Sequence, residues 1–186
     1  MSAPYQTSLQ LKTPETAEPE AAKGLNAAKE ALGFIPNMYA AMANSTGVLA
    51  TYQEGYAKFR QESGFTPQEQ ETVLLTISVA NDCGYCRAAH GTIADKMSKV
   101  PTEVTDAILD GKSVPDEKLG ALHIFTRCMF DTRGKPEKAD VDAFLAAGYT
   151  ERHVMEVILA LAVKTLSNYT NHIFHTPVDE AFAGRR

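Results

Sequence analysis

Apolar residues along this chain recur at helical spacing, and nowhere do they alternate with polar ones over the length of a strand. No Asn-Gly or Asp-Gly hairpin signal interrupts them, so the pattern predicts an all-α fold, a single-domain helical bundle. Residues 1–15 are polar, carry Pro4 and Pro14, and read as an extended arm ahead of one helical domain over 16–186. A helix is expected from about Glu18 to Leu32, ending at Gly33. FIPNMY then turns the chain, and a helical segment covers Tyr39 to Ser63. The best-signposted start is TPQE, with Thr66 as N-cap, Pro67 at the first helical position and Glu69 completing a capping box. The run ETVLLTISVA that follows is apolar nearly all round and belongs inside the molecule.

Asn81 and Asp82 invite a new helix carrying CGYCRAAHGTIADKM. A short helix opens at Pro101-Thr102 and ends near Gly111; another follows Pro115-Asp116 and runs to about Asp131. After the turn DTRGKP comes a short helix, Ala139 to Ala147. Thr150 caps a last long helix, ERHVMEVILALAVKTLSNYTNHIF, again apolar all round in its middle and limited by Pro177. The tail ends in two arginines expected to be exposed. TPQEQETVLLTISVA and YTERHVMEVILALAV share a cap, an acidic first turn and a buried stretch, a faint internal likeness rather than a repeat.

Composition narrows the function. The 186 residues suffice for one well-buried domain, and 44% hydrophobic with 22% charged residues is ordinary for a soluble globular protein. A net charge of -5 without a Lys/Arg block argues against a nucleic-acid or anionic-membrane partner. No apolar run approaches the ~20 residues that span a bilayer, and the N-terminus lacks a signal-peptide pattern. Three cysteines do not make a disulfide framework. The expected location is cytoplasmic, where a close Cys pair more often does chemistry than bridging.

The chemistry centres on NDCGYCRAAH, residues 81–90. Cys83, in the first turn of its helix, would face unpaired N–H groups and the positive end of the dipole, favouring the thiolate. Cys86 lies on the same face, and His90, one turn further, can reach its sulfur and serve as a proton partner. A thioredoxin-type site would follow a strand, whereas this one follows a buried helix. A zinc site needs a second ligand pair, for which only His123 and Cys128 are near, so no metal is expected. Buried cysteines without function are a further alternative. Glu71 sits early in the preceding helix; if that helix packs on the Cys helix it becomes a base or an orienter of His90, and otherwise it is solvated.

Glu71, Cys83, Cys86 and His90, spaced E-x11-C-x2-C-x3-H, resemble the alkylhydroperoxidase D family of the carboxymuconolactone decarboxylase-like superfamily. LGFIPNMYAAMANS (32–45) and NYTNHIFHTPVDEAF (168–182) resemble the opening and closing segments of its peroxidase-related branch. The resemblance implies an oxidoreductase, a dithiol peroxidase needing no organic cofactor. Glu71 would act through His90 to deprotonate Cys86. The thiolate would attack a peroxide, Cys83 would close the disulfide, and an external thiol or dithiol would reopen it. It also implies a homo-oligomer, a trimer or hexamer. Dipole logic alone names Cys83 the more acidic thiol; the resemblance and the His90 spacing favour Cys86 as attacker.

The family's better-studied members carry a histidine between the cysteines, where this chain has Tyr85. A tyrosine cannot shuttle protons near neutral pH, so the relay differs in detail. The superfamily's decarboxylase branch does not rely on this cysteine pair. Alternatives are a general thiol–disulfide oxidoreductase and a non-catalytic redox-sensing protein. Elsewhere, Cys128 reads as core, His123 as a packed ring and His153 as exposed. His172, Asn168 and Asn171 read as structural or interface residues, with Tyr85 and His172 as candidate site-lining positions. Phe34, Met38 and Tyr39 would wall the substrate pocket or simply pack.

Overall fold

A computed structural model describes residues 3–185, which form nine α-helices and a closing 3-10 turn, Glu180–Phe182, with no strand among them. Residues 3–13 run without helix over the bundle, where the Thr7 N–H donates to the Ile173 carbonyl and that of Lys12 to the Ala40 carbonyl. Helix α1, Pro19–Leu32, stops at Gly33, whose φ of 82° is the left-handed turn that glycine takes without a Cβ clash.

The single helix expected over Tyr39–Ser63 is two, α2 (Asn37–Met42) and α3 (Thr46–Glu62). Apolar continuity loses to capping here. The Ser45 hydroxyl accepts from the Val48 N–H, and the Asn44 amide donates to the carbonyls of Ala41 and Gln10. The start of α2 also takes up half of the expected FIPNMY turn.

Helix α4, Pro67–Ala80, opens on the predicted capping box: the Glu69 N–H donates to Thr66 Oγ1, and Glu69 Oε2 accepts from the Thr66 N–H at 2.8 Å. Every residue from Glu69 to Ser78 is buried, because α4 packs against α5 (Gly84–Lys96), α6 (Thr102–Leu109), α7 (Glu117–Asp131) and α9 (Glu151–Phe174). Its hydroxyls survive burial by bonding to their own helix, Thr76 to the Thr72 carbonyl and Ser78 to that of Leu74, both at 2.6 Å. Fully buried Leu74 and Leu75 contribute roughly 1.5–3 kcal/mol each.

Helix α9 is not buried all round. Its inward stripe, Val157, Ala160, Val163, Lys164, Ser167, Asn168 and Asn171, follows the helical period, while Met155 and Ile158 are 61% and 43% exposed. Against α3 it comes so close that a Cβ on Gly55 would sit 2.7 Å from Val163 Cγ1. Helix α8, Lys138–Ala146, buries only Phe144, which stacks between Phe125 at 4.1 Å and Tyr149 at 4.5 Å. The C-terminal tail is pinned rather than free: Arg185 pairs with Asp95 and Asp106, so the expectation of two exposed arginines fails for Arg185, and Arg186 lies outside the described residues. No described helix is long and apolar enough to cross a membrane.

Candidate active site

The α4–α5 corner sets the cysteines. Asn81 closes α4 and Asp82 takes φ 51°, a left-handed conformation that Asp tolerates, so neither caps α5 as expected. Cys83 is itself the N-cap residue, held by its N–H donating to the Ser78 carbonyl at 3.0 Å, and Cys86 falls in the first turn. The Asn81 amide donates to Asn168 Oδ1 at 2.8 Å and ties this corner to α9.

Because α4 lies directly on α5, the Glu71 carboxylate is wholly buried, and Oε2 accepts from His90 Nδ1 at 2.9 Å. The open choice for Glu71 resolves to the buried one. Burial alone would push its pKa up; the His90 ring and the Arg60 guanidinium bonded to Oε1 outweigh this and hold it below the usual carboxylate value. Burial and the positive charge of Lys164 lower the His90 pKa, which leaves the ring neutral. With Nδ1–H committed to Glu71, Nε2 keeps its lone pair.

The sulfurs are unequal. Burial opposes ionisation of Cys86, but a hydrogen bond from the Cys83 thiol and the Lys164 ammonium hold its pKa well below the ordinary thiol value. Cys83 moves the other way, raised by donating to Cys86 and by burial. The pair therefore carries its one negative charge on Cys86, against the helix-dipole expectation, because the neighbouring groups outweigh the dipole at Cys83. The Asn171 amide points at both sulfurs, 3.3 Å from Cys86 Sγ and 3.8 Å from Cys83 Sγ.

Sequence reasoning missed Lys164 and Arg60. Lys164 is fully buried, and Nζ makes no well-formed hydrogen bond among the described residues; its charge acts across a looser contact on Cys86 and through space on Cys83 and His90. One lysine inside the apolar run ILALAVKTL was the signal. Arg60, on α3, is clasped by the Tyr56 hydroxyl at 2.6 Å and stacks over that ring. Asn171, read as a structural or interface residue, lies against both sulfurs.

Cys86 and His90 open on a cavity of about 610 Å³ walled by Phe34, Met38, Tyr39, Tyr52, Tyr85 and Phe182. Tyr85 donates to Asp179, which also accepts from the Asn37 N–H, so it fastens the C-terminal segment over the cavity. Burial and that bond raise the Tyr85 pKa, which keeps the hydroxyl protonated. His172 is exposed and does not reach this cavity. His123 pairs with Thr76 Oγ1 at 2.8 Å, a packed ring as expected. Cys128 is half-buried and donates to Asp140 at 3.3 Å rather than sitting in the core, and His153 stacks on Phe65 rather than standing exposed. Among the described residues no three His, Cys, Asp or Glu side chains gather as a metal site.

The carboxymuconolactone decarboxylase family model matches residues 47–115, the stretch that contains Glu71, Cys83, Cys86 and His90. No curated protein sequence matches. An uncharacterized peroxidase-related protein from Silicibacter sp. TM1040 shares the fold with TM-score 0.81 and 20% identity, over 99% of this chain and 96% of that one. An alkylhydroperoxidase AhpD core protein, peroxidase-related and uncharacterized, from Ralstonia eutropha JMP134 gives TM-score 0.82 and 21% identity over 94% and 93%. A variant of the debrominase Bmp8 in complex with 2,3,4-tribromopyrrole gives TM-score 0.75 and 16% identity over 96% and 95%.

Proposed function

From a chain whose residues 47–115 match the carboxymuconolactone decarboxylase family model and whose fold is alkylhydroperoxidase D-like, we propose a dithiol peroxidase. The observation that carries it is Cys86, a thiol of lowered pKa at the wall of an apolar cavity, with a second thiol in hydrogen-bond contact and a Glu71–His90 pair beside it.

Cys86 stands as the thiolate before peroxide enters, its proton already given up to solvent by way of His90 Nε2, and the ionised Glu71 stabilises the imidazolium whenever the ring carries a proton. The Cys86 thiolate attacks the distal peroxide oxygen, the O–O bond breaks, and the alkoxide leaves with a proton delivered by way of His90. Cys86 is then a sulfenic acid. The Cys83 thiol attacks it, water departs, and the disulfide forms. A thiol or dithiol donor restores both thiols by exchange. The partners are thus a hydroperoxide, a thiol reductant and further copies of this chain, for whose contact Met155 and Ile158 offer exposed apolar surface on α9.

The aromatic cavity, larger than hydrogen peroxide needs, supports a second reading on the same pair: reductive dehalogenation of an aryl halide. The thiolate would take the halogen from carbon, the carbon a proton, and Cys83 would displace halide as the disulfide forms. Mass spectrometry separates the two. The reduced protein, given one equivalent of an organic hydroperoxide, is expected to lose two hydrogens rapidly at Cys83–Cys86, releasing alcohol, and Cys86→Ser is expected not to. Halide release from a bromoarene together with inertness to hydroperoxides would reverse the order of the readings.

A further inference from the structure

Two separate hollows reach the redox pair. The 610 Å³ cavity touches Cys86 and not Cys83. A second hollow of about 440 Å³ touches Cys83 and not Cys86, with Tyr85 as the wall between them. The second has a different lining: Asp82 and Gly84 from the α4–α5 corner, and His172, His175 and Thr176 from the end of α9. His172, which reaches no part of the aromatic cavity, belongs to this one, the more polar of the two.

We propose that this second hollow is the docking site of the reductant, a small polar thiol whose thiolate attacks Cys83 Sγ and expels Cys86. The inference rests on the dithiol reading above. Exchange breaks one S–S bond and makes another: the donor's sulfur bonds to Cys83, and the electron pair of the Cys83–Cys86 bond leaves on Cys86. A second donor thiol then displaces Cys83 and carries away the donor disulfide, so two thiols are oxidised for each protein disulfide reduced.

Two features of the site favour this direction over attack at Cys86. Access is one, since the hollow meets only Cys83. The leaving group is the other, since exchange is faster when the departing thiol is the more acidic. Cys86 leaves toward Lys164 and the Asn171 amide, groups that already hold its charge in the reduced protein. Attack from the aromatic cavity would instead expel Cys83, whose setting disfavours the thiolate. Substrate and reductant therefore need not share a doorway, and bound alcohol product does not block reduction.

The test starts from protein whose disulfide has been made with diamide, so it does not depend on peroxide reactivity. Glutathione is added, the mixture is quenched in acid and alkylated, and peptides are mapped without reduction. The expected transient species carries glutathione on Cys83 and the alkyl label on Cys86; the reverse arrangement overturns the proposal. Gly84→Trp fills the hollow, since a Cβ there meets nothing within 4 Å, and exposed His172→Trp does so from the other wall. Both are expected to slow reduction by glutathione at least tenfold while disulfide formation by diamide keeps its rate. Wild-type reduction rates in both variants would also overturn it.

Discussion

Lys164 and Glu71 act on Cys86 in separable ways. Replacing the lysine by the similarly sized methionine removes a positive charge beside the thiolate and leaves the Glu71–His90 bond intact. The Cys86 pKa is then expected to rise. Oxidation is then expected to slow at pH below the raised pKa, about tenfold there for each unit of rise, and to recover in more alkaline buffer because each pKa unit is a factor of ten in thiolate fraction. Stopped-flow oxidation across pH would show the displaced profile, and an unmoved profile would remove Lys164 from the account. Glu71→Gln keeps the shape but not the charge, and is expected to slow oxidation about a hundredfold at every pH, the usual worth of a general acid–base partner. At this scale the four motif residues were legible because their spacing puts them on facing sides of two consecutive helices. Lys164 and Arg60 were not: Lys164 comes from a helix distant in sequence, Arg60 from the last turn of the helix before α4, and only the packing of α9 on α4 and α5, with α3 on α9, turns them inward.

Among the elements, caps were more faithful guides than apolar periodicity. The Thr66 box was legible to the residue, whereas the α2–α3 break was hidden under a continuous apolar pattern and rests on Ser45 and Asn44. Ser45→Ala is expected to cost about 1 kcal/mol in a urea titration, the usual worth of an N-cap. Helix α8 depends on one side chain. Phe144→Ala leaves a hole between Phe125 and Tyr149 and is expected to cost about 3–5 kcal/mol, with the oxidation rate per folded molecule unchanged. The corner before α5 misled in the opposite way: Asn81 and Asp82 are good caps by composition, but Asp82 turns left-handed and leaves the cap position to Cys83. Helix α9, read as apolar all round in its middle, is striped, because helices cover one side of it and leave Met155 and Ile158 outside.

For the whole molecule, the buried pair makes stability depend on pH. The His90 pKa lies below its ordinary 6.5 and that of Glu71 below its ordinary 4.5, so in both cases the unfolded chain binds protons more readily. Their contribution is complete above about 6.5. It falls as pH drops, first through the His90 interval and then, below about 4.5, through that of Glu71. The thermal midpoint is expected to decline between pH 7 and 4, and the decline to flatten in His90→Gln. Light scattering is expected to give a multiple of the single-chain mass, reduced by Ile158→Glu. Lys164 carries a last consequence at this scale. Once Cys86 joins a disulfide, its negative charge is gone while the Lys164 side chain stays enclosed in protein without that partner, and so short a loop gives little entropic compensation. Oxidation is therefore expected to loosen the fold: the disulfide form should melt lower and be cut faster by protease than the reduced form. A molecule left without reductant would in this way be marked for removal by the charge that made its thiol reactive.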